Sequence, residues 1–311
     1  MFTKHLSVLQ AILIKVFETR ALYLSNLLKM IQQKIFSVII PTYHRNDLLA
    51  KCLDCLAPGV QTLPAEQYEV IVTDDGYEST AQEMIQQNYP WVKWVAGSRK
   101  GPAANRNNGA KYARGEWLAF TDDDCLPDPQ WLESYGEAIN GKALALEGAI
   151  HPLGNYDQDL AECPINLTGG CFWSANIAVR REIFEKIGGF DPNYPLAAHE
   201  DQDLKLRLEP ITNILFVSNA IVSHPVRIIS LNQAISRIKK TCLAWAYHVF
   251  KNKKALGYKN NLEFIFSGYK FQTIVFCKSL IKGKFKQALI AFSTLTFGLF
   301  FVSKKYLLEI K

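Results

Sequence analysis

The stretch EWLAFTDDDCLPDP, residues 116–129, joins a short apolar run to three consecutive carboxylates, Asp122, Asp123 and Asp124. The run is typical of a buried strand, and the carboxylates follow where that strand is expected to end. Adjacent like charges repel, and the strand end offers no neighbouring cation, so the triplet lowers stability unless a positive group binds it. A solvated acidic turn and a cation-binding site are therefore the two interpretations.

Short apolar segments alternate with helical segments on the N-terminal side of this stretch. The predicted strands are FSVIIPTY (36–43), YEVIVTDDG (68–76) and VKWVAG (92–97), and the predicted helices cover 46–56, 79–88 and part of 102–113. Strands that alternate with helices predict an α/β fold, in which helices flank a mostly parallel central sheet. In such a sheet the ligand crevice lies beyond the carboxyl ends of the strands.

Polar residues follow each of these predicted strand ends. Pro41 and Thr42 end the first strand, Asp74 and Asp75 end the second, and the triplet 122–124 ends the fourth. One acidic strand end is ordinary, because Asp favours turns through local hydrogen bonds. Two acidic ends that face one crevice predict a polyol or a cation between them, since carboxylates also accept hydrogen bonds from ribose hydroxyls.

A basic loop, SRKGPAANRNNGAKYARG (98–115), lies between the acidic ends and contains Arg99, Lys100 and Arg106. Such a loop that leads into a helix N-terminus can bind a diphosphate through side-chain cations and backbone N–H groups. Basic surface loops are common, so this signal is weak without the acidic strand ends.

The orientation of the three carboxylates follows from the predicted strand. If the strand geometry continues, Asp122 and Asp124 point to one side and Asp123 to the other. Mg²⁺ or Mn²⁺ suits two such carboxylates and also binds nucleotide phosphates, which would connect the triplet to the basic loop. His224 ends a probable late strand in AIVSHPVR and suits a third metal ligand, although a structural histidine is an equal alternative.

With these features the chain resembles the family 2 glycosyltransferases, the inverting enzymes of GT-A fold. Five segments match in the order and spacing of that family: SVIIPTYHRNDLL, VIVTDDG, KGPAANRNNGAKYARGEWLAFTDDDCLPDP, GGCFWSANIAVRREIFEKIGGFDP and HEDQDLKLRL. Together they cover about residues 35–225. The resemblance implies a metal-dependent hexosyltransferase that takes a nucleotide-sugar donor, which family frequency favours as a UDP-sugar.

The resemblance also implies roles for individual residues. Thr42 and either Asp74 or Asp75 would contact the nucleoside, and Asp122 with Asp124 would form the DxD pair, with Asp124 as the direct metal ligand. The implied catalytic base is Asp201, with Glu200 beside it, because a single displacement needs one carboxylate to deprotonate the acceptor hydroxyl. Trp173 and Asn176 would lie near the acceptor, and Asp203 is expected to face solvent or to cap its helix.

The charge of the chain is divided between two regions. Residues 225–311 hold 16 Lys and Arg against 2 acidic residues, although the whole chain carries only +6. Apolar residues lie between these cations, and the 17 residues of 287–303 have no charge, which favours anionic lipid over nucleic acid. We therefore expect the chain at the cytoplasmic face of a membrane, peripheral or single-pass through 287–303. Seven scattered cysteines with one CxxC agree with a reducing compartment.

These patterns divide the chain into an amphipathic helical segment (1–34, with the helix over 5–33), a glycosyltransferase domain (35–225) and a basic, hydrophobic helical region (226–311). The expected partners are the donor, a glycan or lipid-linked acceptor used in cell-surface polysaccharide or glycolipid synthesis, and membrane lipid. Two other functions stay open. A nucleotidyltransferase would carry its glycine-rich basic loop directly after the first strand, where PTYHRND stands instead. An inactive nucleotide-sugar-binding module at a membrane would bind the donor without turnover.

Overall fold

The computed structural model describes Lys15, Arg20 and residues 34–78, 80–194 and 198–308, so most of the predicted N-terminal helix over 5–33 lies outside the described residues. The elements follow in this order: β1 (Phe36–Thr42), α1 (Asn46–Leu56), β2 (Tyr68–Asp74), α2 (Gln82–Asn88), β3 (Val92–Ala96), α3 (Pro102–Ala110), β4 (Trp117–Phe120), β5 (Leu126–Pro127), α4 (Trp131–Ala138), β6 (Ala145–Leu153), β7 (Ala161–Glu162), β8 (Ile177–Arg180), α5 (Arg181–Lys186), α6 (Glu200–Leu208), β9 (Ile214–Pro225), β10 (Arg227–Ile228), α7 (Leu231–Asn252), α8 (Asn261–Ile281), α9 (Phe285–Ser293), a π-helical turn (Thr294–Gly298) and α10 (Leu299–Leu308).

Eight of these strands form one central sheet in the order β3-β2-β1-β4-β8-β6-β9-β5. The first four strands are parallel, as their alternation with helices predicts. β6 and β9 are also parallel, whereas β8 and β5 run antiparallel to their neighbours. The predicted α/β class with a mostly parallel sheet is therefore confirmed, and the antiparallel strands lie beyond the segment in which strands and helices alternate.

The continuous apolar run of β1 reflects burial on both faces of the sheet. Val38 and Ile40 pack into a core with α1 and α4, while Ile39 points to the other face and packs with α3 and α6. All three side chains are fully buried. Burial of one such side chain stabilises the fold by about 1.5–3 kcal/mol, which fixes β1 at the centre of the sheet. Its carboxyl end is thereby held at the crevice.

Gly109 allows α3 to lie close to the sheet. A Cβ atom at this position would be 2.7 Å from Cγ2 of Ile39 and 3.0 Å from Cγ2 of Thr73, closer than side chains tolerate. The helix therefore packs tightly on β1 and β2, and its N-terminal turn, which begins at Pro102, reaches the crevice.

The C-terminal helices form a separate hydrophobic cluster in which α7 packs against α8 and α10. α7 is attached to the sheet domain through Asp203, which is fully buried. Asp203 accepts a hydrogen bond from Asn252 at 3.0 Å and forms an ion pair with Lys251 at 2.8 Å. The prediction that Asp203 faces solvent or caps a helix was wrong, because the partners that bury it come from α7, about 50 residues further along the chain.

Candidate active site

The acidic triplet lies in a turn directly after β4, which ends at Phe120. Ligand atoms of Asp122, Asp124, Cys125 and His224 all lie within 4.8 Å of one another. Asp124 Oδ1 is 3.6 Å from His224 Nε2, and it is buried without a hydrogen-bond partner among the described residues. Two carboxylates, one of which has a free buried oxygen, and one imidazole form a donor set that fits a divalent cation.

Asp123 lies outside this cluster, although residues 123 and 124 form a turn and do not continue the strand geometry on which the alternating-face argument depends. Its side chain is fully buried and accepts a hydrogen bond from Thr42 Oγ1 at 2.7 Å. Burial raises the pKa of Asp123 to about 7, which the nearby guanidinium of Arg45 opposes. Asp123 therefore connects the ends of β1 and β4 and supports the turn on which its neighbours lie.

Three arginines from distant segments supply positive charge to the triplet. Arg45 donates to Asp124 at 3.0 Å, Arg227 also pairs with Asp124, and Arg106 donates to Asp122 at 2.7 Å. Burial acts to raise the pKa of Asp122, but the ion pair with Arg106 holds it below its ordinary value. From the sequence, only a bound metal ion was expected to neutralise the triplet, whereas in the structure three arginine side chains also do so.

Arg106 also connects the acidic triplet to the start of α6. Its Nη1 atom donates to Glu200 Oε1 at 3.0 Å, while its Nη2 atom binds Asp122. Burial raises the pKa of Glu200 to about 7, although Arg106 acts in the opposite direction. Glu200 Oε2 is buried and has no hydrogen-bond partner among the described residues. The guanidinium of Arg106 thus lies between Asp122, which was predicted to bind the metal, and Glu200, which was predicted to lie beside the catalytic base.

Asp201, the predicted base, lies beside Glu200 and is 7% exposed. Its Oδ2 atom accepts from the backbone N–H of Ser174 at 3.3 Å, and its Oδ1 atom accepts from the N–H of Gln202 at 2.8 Å. Burial raises the pKa of Asp201, and these hydrogen bonds limit the rise. Because Ser174 follows Trp173, Asp201 is attached to the loop that carries the predicted acceptor platform.

A cavity of about 950 Å³ lies at the carboxyl ends of β1, β2 and β4. Most of the predicted donor and metal residues line this cavity, as do several residues that were not predicted. The lining includes Pro41, Thr42, Tyr43, Arg45, Asp75, Tyr77, Arg99, Arg106, Asp122, Asp124, Trp173, His224 and Arg227. The volume lies within the range of sites that bind drug-sized ligands and cofactors.

Of the two acidic residues that end β2, only Asp75 faces the cavity. Asp75 accepts hydrogen bonds from the backbone N–H groups of Arg99 at 2.8 Å and Gly101 at 3.2 Å, so it holds the basic loop in place. Asp74 instead accepts from the N–H of Gly76 at 2.8 Å and of Ala81 at 2.7 Å and is 2% exposed. Asp74 therefore stabilises the turn, and only Asp75 of the two lines the cavity.

Lys100 and Asn176 do not lie at the cavity where they were expected. Lys100 is exposed and absent from the lining, where its neighbour Arg99 takes its place. The amide of Asn176 accepts from Trp131 and Tyr135, both at 2.7 Å, and donates to two backbone carbonyls. These hydrogen bonds occupy both the oxygen and the nitrogen of the amide, and the side chain is 1% exposed. Asn176 is therefore a structural residue of the core.

Arg45 and Arg227 line the cavity but were not predicted as site residues. Arg45 follows β1 closely, in PTYHR, and could have been grouped with Thr42 at the same strand end. Arg227 lies three residues after His224, and a two-stranded ribbon of β7 and β10 places it over the cavity. No local pattern indicates that ribbon, because each strand has only two residues.

Comparisons with known proteins indicate the family and the fold. Residues 37–188 match the family model described as glycosyl transferase family 2. The chain is similar to glycosyltransferase AglE of Haloferax volcanii, with 29% identity over 206 residues, 61% of this chain and 67% of that protein. It is also similar to validoxylamine A glucosyltransferase of Streptomyces hygroscopicus subsp. limoneus, with 28% identity over 56% of this chain and 48% of that protein. The chain thus spans about half the length of the second relative.

Solved structures of low sequence identity share the fold. S. aureus TarS, in a complex with UDP-GlcNAc, superposes with a TM-score of 0.53 at 18% identity, over 88% of this chain and 92% of that one. The mannosyltransferase PcManGT of Pyrobaculum calidifontis, in a complex with GDP-Man and Mn²⁺, gives a TM-score of 0.50 at 14% identity, over 89% and 88% of the two chains. The GT-A fold expected from the sequence is therefore confirmed.

Proposed function

Because the chain belongs to the family 2 glycosyltransferases, we propose that it transfers a hexose from a nucleoside diphosphate donor to a hydroxyl group, with inversion, in polysaccharide or glycolipid synthesis. The observation that carries this proposal is the cavity in which Asp122, Asp124 and His224 face the basic residues Arg99 and Arg106. A metal-binding acidic pair opposite cations is the arrangement that a sugar diphosphate requires.

Asp122, Asp124 and His224 would hold Mg²⁺ or Mn²⁺. The ion would supply Lewis-acid stabilisation of the departing nucleoside diphosphate. Arg45 and Arg227, which pair with Asp124 in the described structure, lie where they can turn to the diphosphate oxygens once the carboxylate has another partner. Their guanidinium groups suit phosphate because they donate two parallel hydrogen bonds.

The nucleoside would lie near Thr42 and Asp75, at the ends of β1 and β2. Tyr43 and Tyr77, whose ring centroids are 6.3 Å apart, are half-exposed at this end of the cavity and offer stacking surfaces for a base. The donor is proposed to be a UDP-sugar. The TarS complexes, which contain UDP or UDP-GlcNAc, support this choice by analogy of fold only.

We assign the catalytic base to Asp201 and an orienting role to Glu200. Asp201 does not line the cavity itself, but it accepts from the backbone N–H of Ser174, next to Trp173, which does line it. Glu200 is paired with Arg106, which leaves its free oxygen able to accept a hydrogen bond from the acceptor. Trp173 would provide the apolar platform against which the acceptor sugar packs.

Residues 226–311 are proposed to bind a membrane surface, next to the catalytic domain of 35–225. In the described residues one helical stretch, Phe285–Lys304, is long and apolar enough to cross a membrane. Its inner side packs on α7 and α8, and its outer side exposes Phe285 (72%) and Phe297 (65%). A span would have to separate this stretch from the other helices, so we favour an interfacial position with lysines at the lipid headgroups.

Donor turnover tests the proposed function. Purified full-length protein is incubated with UDP-sugars and Mn²⁺, and both the melting temperature and the release of UDP are measured. A donor should raise the melting temperature, because it binds only the folded state, and should release UDP. Stabilisation without UDP release, in the presence of membrane lipid acceptors, would instead identify an inactive binding module.

A further inference from the structure

A second cavity of about 860 Å³ lies among the C-terminal helices, and most of its lining residues follow the segment 37–188 that matches the family. Its walls come from α7, α8 and the α9–α10 stretch and are mostly apolar. They include Ile238, Cys242, Trp245, Gly268, Ile290 and Leu299. Two glycines bring these helices together, since a Cβ at Gly268 would be 2.8 Å from Trp245, and one at Gly298 would be 2.5 Å from Cys242 Sγ. The cavity thus lies beside two points at which the helices are in close contact.

The two cavities share a wall. The ribbon of β7 and β10 separates them, and both Ala161 and Glu162 of β7 line each cavity. Arg227 of β10 faces the catalytic cavity, whereas Ile229, two residues later, faces the apolar one. The apolar cavity is thus adjacent to the catalytic cavity, and Ala161 and Glu162 form a wall that the two share.

The opposite side of the apolar cavity opens on the outer surface of the C-terminal helices. Phe271 lines the cavity and is also 62% exposed, among the phenylalanines of the proposed membrane face. At the wall shared with the catalytic site, Arg237 forms an ion pair with Glu162 at 3.1 Å, and both side chains are half-exposed. The cavity is therefore mostly apolar, with polar side chains such as Thr241, Gln272 and Gln287 in its lining, and it is charged where it meets the catalytic site.

We propose that this cavity binds the apolar chain of a lipid-linked acceptor, with its anionic headgroup at Arg237 and its reacting hydroxyl in the catalytic cavity. The proposal rests on the proposed glycosyl transfer, for which it names the acceptor class: a hydroxyl-bearing group that is linked through phosphate to a single long apolar chain. Prenyl and acyl chains share this chemistry. Apolar contact along the chain and an arginine at the phosphate would fix where the hydroxyl lies relative to Asp201.

The test uses full-length protein in vesicles and a farnesyl phosphate that carries a photoreactive diazirine. Cross-linked residues are identified by mass spectrometry, and they should fall on the cavity walls in α7 and α8. Thr241→Trp fills the cavity, because Thr241 is a cavity-lining residue with an exposed side chain. Ser236→Trp is the matched control, since Ser236 is exposed on the same helix and lies outside the lining.

We expect Thr241→Trp to lower cross-linking at the cavity by about tenfold, which corresponds to about 1.4 kcal/mol of binding, and Ser236→Trp to leave it unchanged. Competition by unlabelled farnesyl phosphate alone would identify a prenyl acceptor, and competition by lysophosphatidic acid alone an acyl one; either result supports the proposal. Cross-links confined to the exposed phenylalanines, or equal labelling of both variants, would overturn it.

Binding of UDP, measured by thermal shift on the same samples, separates this proposal from the proposed function. UDP should stabilise both variants equally, because neither substitution touches the catalytic cavity. Failure to bind UDP in the wild-type protein would contradict the proposed transferase, whereas normal UDP binding with no cavity labelling would contradict only the acceptor site. Equal UDP stabilisation also demonstrates that Thr241→Trp is folded.

Discussion

Replacement of Asp201 by Asn removes one negative charge next to the proposed acceptor position and changes little else in shape. A general base contributes about 10²–10⁴ to the rate, so we expect turnover to fall by that factor, or about 3–5 kcal/mol in activation free energy. Asp201 does not line the cavity in which the donor would lie, so the affinity for the nucleotide sugar should change by less than about threefold. A radiolabelled donor measures both quantities.

The hydrogen bonds of Asp201 also set the expected cost in stability. Its two oxygens accept from two backbone N–H groups, Ser174 and Gln202, and an Asn side chain has only one acceptor oxygen. The lost bond should lower the free energy of unfolding by about 1–3 kcal/mol. Asp203→Asn is a matched control on the same helix, because it weakens a buried ion pair without touching the cavity and should keep normal turnover in the folded fraction.

Glu200→Gln separates the two neighbouring carboxylates. Gln can still accept from Arg106, but it leaves that buried arginine with Asp122 as its remaining acidic partner. If Glu200 only orients the acceptor, the variant should keep more activity than Asp201→Asn. An inactive Glu200→Gln together with an active Asp201→Asn would refute our assignment and make Glu200 the base. Loss of donor binding in Asp201→Asn would place that residue in the donor site.

Three further predictions address the metal site, the fold and the pH dependence. Asp124→Asn should reduce Mn²⁺-dependent turnover by about a hundredfold or more, whereas Asp123→Asn should act mainly on stability; equal losses of turnover would contradict their different orientations. Gly109→Ala should lower the free energy of unfolding by about 1–3 kcal/mol, measured by urea titration, because the new Cβ overlaps Ile39. Burial lowers the pKa of His248 from 6.5 to about 4, so the unfolded chain binds more protons between these values. The contribution of His248 to stability should therefore fall as the pH drops from 6.5 to 4, whereas those of Asp123 and Glu200, whose pKa values are raised, change in the opposite direction. The test is the difference in the free energy of unfolding between the wild-type protein and His248→Gln, which should favour the variant increasingly as the pH drops from 6.5 to 4.

The fold and the acidic part of the candidate metal site could be predicted because short segments contain them. Each parallel strand is a continuous apolar run, and Asp122 and Asp124 differ from Asp123 in orientation within three consecutive residues. Asn176 and Asp203 could not be assigned in this way. Both are polar residues near expected functional motifs, and only the partners that bury them, from α4 and α7 respectively, identify them as structural. The sequence does not indicate those partners, because they lie about 40–50 residues away and follow no periodic pattern.

The position of the C-terminal helices relative to a membrane is also not determined by the sequence. The uncharged run 287–303 allows a membrane span or an interfacial helix, since length and hydropathy are equal in both cases. In the structure, the contacts of Gly298 with Cys242 and of Gly268 with Trp245 fix one side of the C-terminal helices against each other. Small residues at helix contacts are favourable in water and in lipid, so they do not reveal the environment by themselves. Our proposal of a membrane surface rests on the opposite side, where phenylalanines are exposed and would gain free energy if lipid covered them.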